Sequence, residues 1–238
     1  MSTEPASIPD MPPIEATFTA ADGTRTTVRI TSPAKLLNVA PYLLGFHADE
    51  CVVIIGTKGP RGTVHVTQRV PLDCPNDPAL ITFAAKRTVS VLVAAACSNV
   101  FVVGYGPEDR VTPFVRQFRG LAVEHGVTVP EILRVADNRY WSYVCTDSTG
   151  CQPEGTPYAV APSPELVRLL PEGASGVLQS RDDLAAMVAP VTGTVATSMR
   201  RATVLGLVIS DKVSQFMRYA GWHPGPAARH SYTAPAPG

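Results

Sequence analysis

The residues able to do chemistry fall into five groups. Cys145 and Cys151 could share a metal with His47 or His65. Structural zinc takes four ligands, with cysteine pairs spaced two to four residues apart. Here five residues separate a single cysteine pair, so no metal and no cofactor are expected. Gly104-Tyr105-Gly106 could form a phosphate-binding turn between a strand and a helix N-terminus. Glu108 and Asp109 already complement that helix dipole, and Asp109 stands where the dinucleotide fingerprint needs its third glycine. A tight turn is the better reading. His47 follows Gly45 and Phe46 and precedes an apolar run, a place for an acid/base residue on a site rim. Asp49, Asp137 or Glu154 could orient it, and Cys145 could serve as nucleophile. Against this, His47 can simply cap a helix and Asp137 make a turn, and no triad spacing is readable.

The fourth group is Arg139-Tyr140-Trp141-Ser142-Tyr143-Val144-Cys145, with three aromatics in four residues. As a strand it would send Tyr140 and Ser142 to one face and Trp141 and Tyr143 to the other. Trp141 and Tyr143 could line a groove with Arg139 at its edge, or pack in the core; both readings stand. Cys151 to Pro157, including Glu154, Gly155 and Thr156, follows in a Pro/Gly-rich stretch suited to a binding loop. The fifth group, Arg200, Arg201, Lys212 and Arg218, forms no compact basic stripe, and nucleic acid is not an expected partner.

The elements that must position these residues are legible in part. Ile14–Ala20 and Thr24–Ile30 alternate around Asp22-Gly23, a hairpin signal. Ser32 and Pro33 suit the N-cap and first position of a helix, which Pro41 should kink or end and Gly45 should stop. Glu50–Thr57 reads as a central strand buried on both faces, paired with Gly62–Val70 through Lys58-Gly59-Pro60-Arg61. Pro78–Cys97 is mostly helical in pattern, although Val89, Val91 and Val93 leave its second half open between helix and strand. A strand at Asn99–Gly104, a helix from Pro107 to about His125, a strand at Val127–Val135, an Asp137-Asn138 turn and a strand at Arg139–Cys145 follow. Residues 146–178 read as a long loop or wrapping segment, Ser180 as the cap of a short helix over Arg181–Val188, and Thr194–Tyr219 as a last helix.

The RYWSY segment, the two cysteines and PEGTP resemble the domain-of-unknown-function family 4192. Weaker supporting motifs are Ser32-Pro33 leading to Pro41–His47, and Gly104-Tyr105-Gly106-Pro107. The likeness spans roughly residues 30 to 200. It implies an intracellular actinobacterial α/β protein and carries over no catalytic residues. The chain departs from the pattern at Gly150-Cys151, where related sequences show a cysteine pair, and after Tyr219, where they continue into a longer helical portion.

Composition sets the outer bounds. The 238 residues carry 20 basic and 20 acidic side chains, and 45% are hydrophobic. That is enough apolar material for a core, without the positive field of a dedicated nucleic-acid binder. Arginine outnumbers lysine sixteen to four, as GC-rich coding would produce. No apolar run is long enough to span a membrane, and the acidic, proline-rich start lacks the features of a secretory leader. Cytoplasmic localisation and five reduced cysteines are therefore expected. Of 23 prolines, eight lie in the two tails and six between Pro153 and Pro190.

The expected organisation is a flexible arm over residues 1–13, one α/β domain over 14–190, a C-terminal helix over 191–221 and a low-complexity tail over 222–238. The sheet should be mixed with flanking helices, three layers α/β/α. The expected function is a non-catalytic ligand- or protein-binding module. Its surface would be built by Arg139, Tyr140, Trp141, Ser142, Cys145, Cys151, Glu154, Gly155 and Thr156, with His47 and Asp137 nearby. The alternative is a small hydrolase-like enzyme using His47 with Asp137 or Glu154.

Overall fold

A computed structural model describes residues 11–20, 22–72, 76–145, 152–159, 164–167 and 177–187, together with Ala189, Thr194, Thr197 and Ser198. The chain divides into two compact units, Met1–Met187 and Val188–Gly238. Thr194, Thr197 and Ser198 are helical; the remainder of the expected last helix and tail lies outside the described residues.

The first unit opens with a hairpin, β1 (Ile14–Thr19) and β2 (Arg25–Ile30). Its turn is closed by Asp22, whose carboxylate accepts from the Thr24 backbone N–H at 2.8 Å and from the Thr24 hydroxyl at 2.9 Å. Helix α1 (Pro33–Leu44) starts as the sequence predicts, with the Ser32 hydroxyl accepting from Lys35 N at 3.3 Å. It does not end at Pro41. The ring lacks only the N–H that would bond to the Leu37 carbonyl, and Pro41 is buried with Leu37 and Ala40. The helix therefore runs three residues further and stops at Gly45, whose φ of 85° is left-handed and whose N–H bonds to Pro41 O.

Strands β3 (Cys51–Lys58) and β4 (Thr63–Pro71) form the next antiparallel pair. Helix α2 (Pro78–Ala94) is helical throughout. The valine ambiguity is resolved by burial: Ala85, Thr88, Val89 and Leu92 recur at helical spacing on the buried face, while Val91 and Val93 are exposed. Strand β5 (Asn99–Tyr105), helix α3 (Glu108–Glu124) and strand β6 (Thr128–Ala136) make a parallel crossover. The Asp137-Asn138 turn has φ of 49° and 56°, the paired positive values of a tight hairpin. Strand β7 (Arg139–Ser142) is shorter than the seven residues expected. Strand β8 (Thr156–Pro157) falls inside the segment expected to be loop. Short helices α4 (Pro164–Val167) and α5 (Arg181–Met187) follow, the latter capped by Ser180 and Asp183 reciprocally.

The eight strands form one mixed sheet in the order β2-β1-β4-β3-β5-β6-β7-β8. Helices cover both faces, as expected. Cys51, Val53, Ile55, Phe101 and Val103 point toward Leu36, Leu37 and Val39 of α1 and Leu166 of α4. Val52, Ile54, Val100 and Val102 point toward α2 and α3, meeting Leu92, Phe114 and Phe118. The two-residue period of the strands thus splits one apolar run between two cores. Gly56 and Gly104 let the helices approach: a Cβ at Gly56 would stand 2.7 Å from Leu92 Cδ2, and one at Gly104 would overlap Val111.

Candidate functional site

Topology gathers the chemistry at one end of the sheet. Strands β5 and β6 are parallel, so their carboxyl ends, Tyr105 and Val135, are neighbours. Antiparallel pairing sets Cys51, the first residue of β3, opposite Tyr105 and Pro71. Arg139 and Tyr140 of β7 pair with Ala136 and Val135, and Pro157 and Thr156 of β8 pair with them in turn.

The aromatic run alternates as its strand reading requires. Tyr140 is buried on the α1 face, its ring meeting Tyr158 edge-on at 6.3 Å. Burial raises its phenol above the ordinary range, against a hydrogen bond with Thr156. Ser142 shares that face. Its hydroxyl donates to Glu131 Oε1 at 2.7 Å and accepts from Cys145 N at 3.1 Å, which turns the chain out of β7. Glu131 is itself buried and also accepts from Ile132 N; desolvation raises its carboxyl above 4.5. Trp141 and Tyr143 occupy the other face. Tyr143 packs on the α2/α3 core, with its hydroxyl 2.6 Å from Thr112 Oγ1 on α3. Both Trp141 and Tyr143 are half-buried.

Trp141 is held from three sides by its own chain. The Arg134 guanidinium lies 3.7 Å from its ring centroid, its Nε1–H donates to Pro153 O at 2.9 Å, and Gly155 packs against the ring. Arg139 Nη1 donates to Glu154 O at 3.1 Å and Gly155 O at 2.7 Å. Residues 152–157 therefore clamp back onto β7. Arg139, Tyr140, Trp141, Glu154, Gly155 and Thr156 do converge, as a clip in which Glu154 contributes its carbonyl to Arg139, while Ser142 bonds instead to Glu131 and Cys145.

The remaining candidates stand apart from that clip. His47 is half-buried in the α1–β3 connection, its backbone N–H donating to Leu178 O at 2.9 Å. Asp137 is exposed at the tip of the β6–β7 turn. Among the described residues no hydrogen bond or ion pair joins His47 to Asp137, Glu154 or a cysteine. Cys145 corrects the expectation of reduced thiols: it is disulfide-bonded, whereas Cys51 and Cys97 are free. The expectation rested on compartment, and the bond is set by which sulfurs the fold brings together. Cys151 lies outside the described residues. No cluster of three or more His, Cys, Asp or Glu side chains able to hold a metal occurs among the described residues.

Two features were not read from the sequence. Beneath the α1–β3 connection, Cys51, Arg69, Tyr105 and Tyr158 form a polar group at the sheet end. Burial pushes the Cys51 thiol up, while the Arg69 guanidinium, hydrogen-bonded to it, pulls the other way. On the opposite face an apolar groove runs between Val70, Leu72, Leu80, Ile81, Phe83 and Phe114, with Leu80 and Phe83 exposed. Alternation places Arg69 on the α1 face beside Val53, but only the pairing register could have shown that Cys51 stands between the strand of Arg69 and Tyr105.

The family described as domain of unknown function DUF4192 matches residues 33–231, and the chain belongs to it. No curated protein and no solved structure matches the chain. No helix among the described residues is long and apolar enough to cross a membrane.

Proposed function

For a member of a family without an assigned activity, the site must argue for itself, and we propose that the chain is a non-catalytic binding module that recognises a protein partner through the β7–β8 clip. The observation that supports this is Trp141. It stays half-exposed although Arg134, Pro153 and Gly155 fix it in place. An indole held rigid at a surface loses little side-chain freedom on binding, and such residues dominate interface energetics. Arg139, Glu154 and Thr156 supply the polar rim. The domain over residues 14–190 carries this surface, and the arginine-rich, lysine-poor composition supports an actinobacterial setting.

The test is site-directed photo-crosslinking in cells of the native host. A photoreactive side chain at exposed position 154 is expected to give a discrete protein adduct that W141A abolishes. The same side chain at exposed position 124, on α3, should not give that adduct. No adduct at position 154, or an identical one at position 124, overturns the reading.

A further inference from the structure

Two buried polar atoms on the α1 face of the sheet end have no hydrogen-bond partner: Arg69 Nε and the Tyr105 hydroxyl. Such orphans are rare in folded proteins, because each forfeits its hydration with nothing in return. They lie on the two strands that flank β3, on one face of the sheet. Tyr105 stands directly across from Cys51, and Arg69 lies on the strand flanking Cys51 on its other side, with its guanidinium donating toward that thiol. Both orphans are donors. Burial beside Tyr158 and Cys51 holds the Tyr105 phenol protonated, and a guanidinium cannot accept. Among the described residues no carboxylate is ion-paired with Arg69. Asp49, whose charge is felt at Cys51, is exposed and bonds instead to Glu50 N. Arg69, Tyr105 and Tyr158 each keep part of their surface exposed, so the cluster lies just below the surface.

We infer that Arg69 and Tyr105, with Cys51 between them, form a binding site for an oxyanion, the carboxylate or phosphate end of a small molecule. A buried N–H and a buried O–H without partners favour an acceptor, and a carboxylate or phosphate oxygen can accept from both at once. The aromatic side chains of Tyr42 and Tyr158, packed against the same core, would border the body of the ligand. This site is separate from the surface proposed for the clip, and neither depends on the other.

The experiment is thermal unfolding of the full chain titrated with acetate and, separately, with inorganic phosphate, against sodium chloride at matched ionic strength. A saturable rise in melting temperature beyond chloride is expected with at least one anion, and which one responds distinguishes carboxylate from phosphate recognition. R69M is expected to abolish the rise and to melt no lower than wild type without anion, since it removes a buried N–H that lacks a partner. Y105F should leave the anion-free melting temperature unchanged or raised and should increase the half-saturating concentration about tenfold. If neither anion acts beyond chloride, or if both variants respond as wild type does, the site is overturned. It is equally overturned if Y105F alone, without anion, is strongly destabilised, because the hydroxyl would then have an internal partner. Loss of the crosslink at position 154 would leave all of these outcomes untouched.

Discussion

Gly155 lies so close to Trp141 that a Cβ at position 155 would stand 2.5 Å from the indole Cε2. Its φ of 80° is also one that side-chain-bearing residues avoid. Contact and conformation together make this glycine the hinge pin of the clip, and PEGTP a packing motif.

The first prediction follows from that contact. G155A should destabilise the chain by about 1–3 kcal/mol through backbone strain and overpacking. It should also shift the emission of Trp141 to longer wavelength as the 152–157 segment lifts from the ring. Placing the change in a W222F background, which leaves Trp141 as the only tryptophan, makes the emission specific. An unchanged spectrum and melting temperature would show that the contact does not exist in solution.

A second prediction concerns Tyr143. Its hydroxyl bridges the segment after β7 to Thr112 on α3 at 2.6 Å. Y143F should cost about 1 kcal/mol in urea-unfolding stability, and most of that cost should vanish in a T112V background, where no partner remains. Equal costs in both backgrounds would mean that the two side chains are not coupled.

The buried carboxyl of Glu131 predicts a pH dependence. Desolvation is the largest influence on it and raises its folded value above 4.5, despite the hydrogen bonds from Ser142 and Ile132. Below the ordinary value the group is protonated in both states and carries no penalty. As pH rises, the unfolded chain ionises first, so stability falls until the folded group has also ionised, and is level beyond that. Melting temperatures of wild type and E131Q from about pH 4 to about pH 8 should therefore diverge. E131Q gains relative to wild type as pH rises, because Gln keeps an acceptor for Ser142 and Ile132 without the charge. Parallel curves would refute the assignment.

Thiol chemistry supplies the fourth prediction. Cys51 and Cys97 are free but buried, and burial raises both thiols. Thiolate, the reactive form, is scarce at both. Iodoacetamide applied to the native protein should leave both unmodified in peptide mass spectra, and both should react fully in denaturant. Rapid native labelling of Cys51 would show that the sheet end opens in solution.

Local signals in this chain were readable because they depend on near neighbours. Asp22-Gly23 sets a turn, Ser32-Pro33 starts α1 and Gly45 stops it, and the unbroken apolar run in β3 announces a strand covered on both sides. Those features, and with them the α/β class and the facing of Tyr140 and Ser142 away from Trp141 and Tyr143, follow from periodicity and backbone preference alone. The rest required contacts between residues distant in sequence. Packing carries α1 past Pro41 and keeps α2 helical through its valines. The return of residues 152–157 onto β7 turns an expected binding loop into a clamp on Trp141. The sheet register sets Cys51 opposite Tyr105 and between it and the strand of Arg69, although Tyr105 lies 36 residues after Arg69. Strand pairing is a choice among many registers, and the sum of the buried contacts decides it. For that reason the elements belong to the sequence, and the site at the sheet end belongs to the tertiary structure.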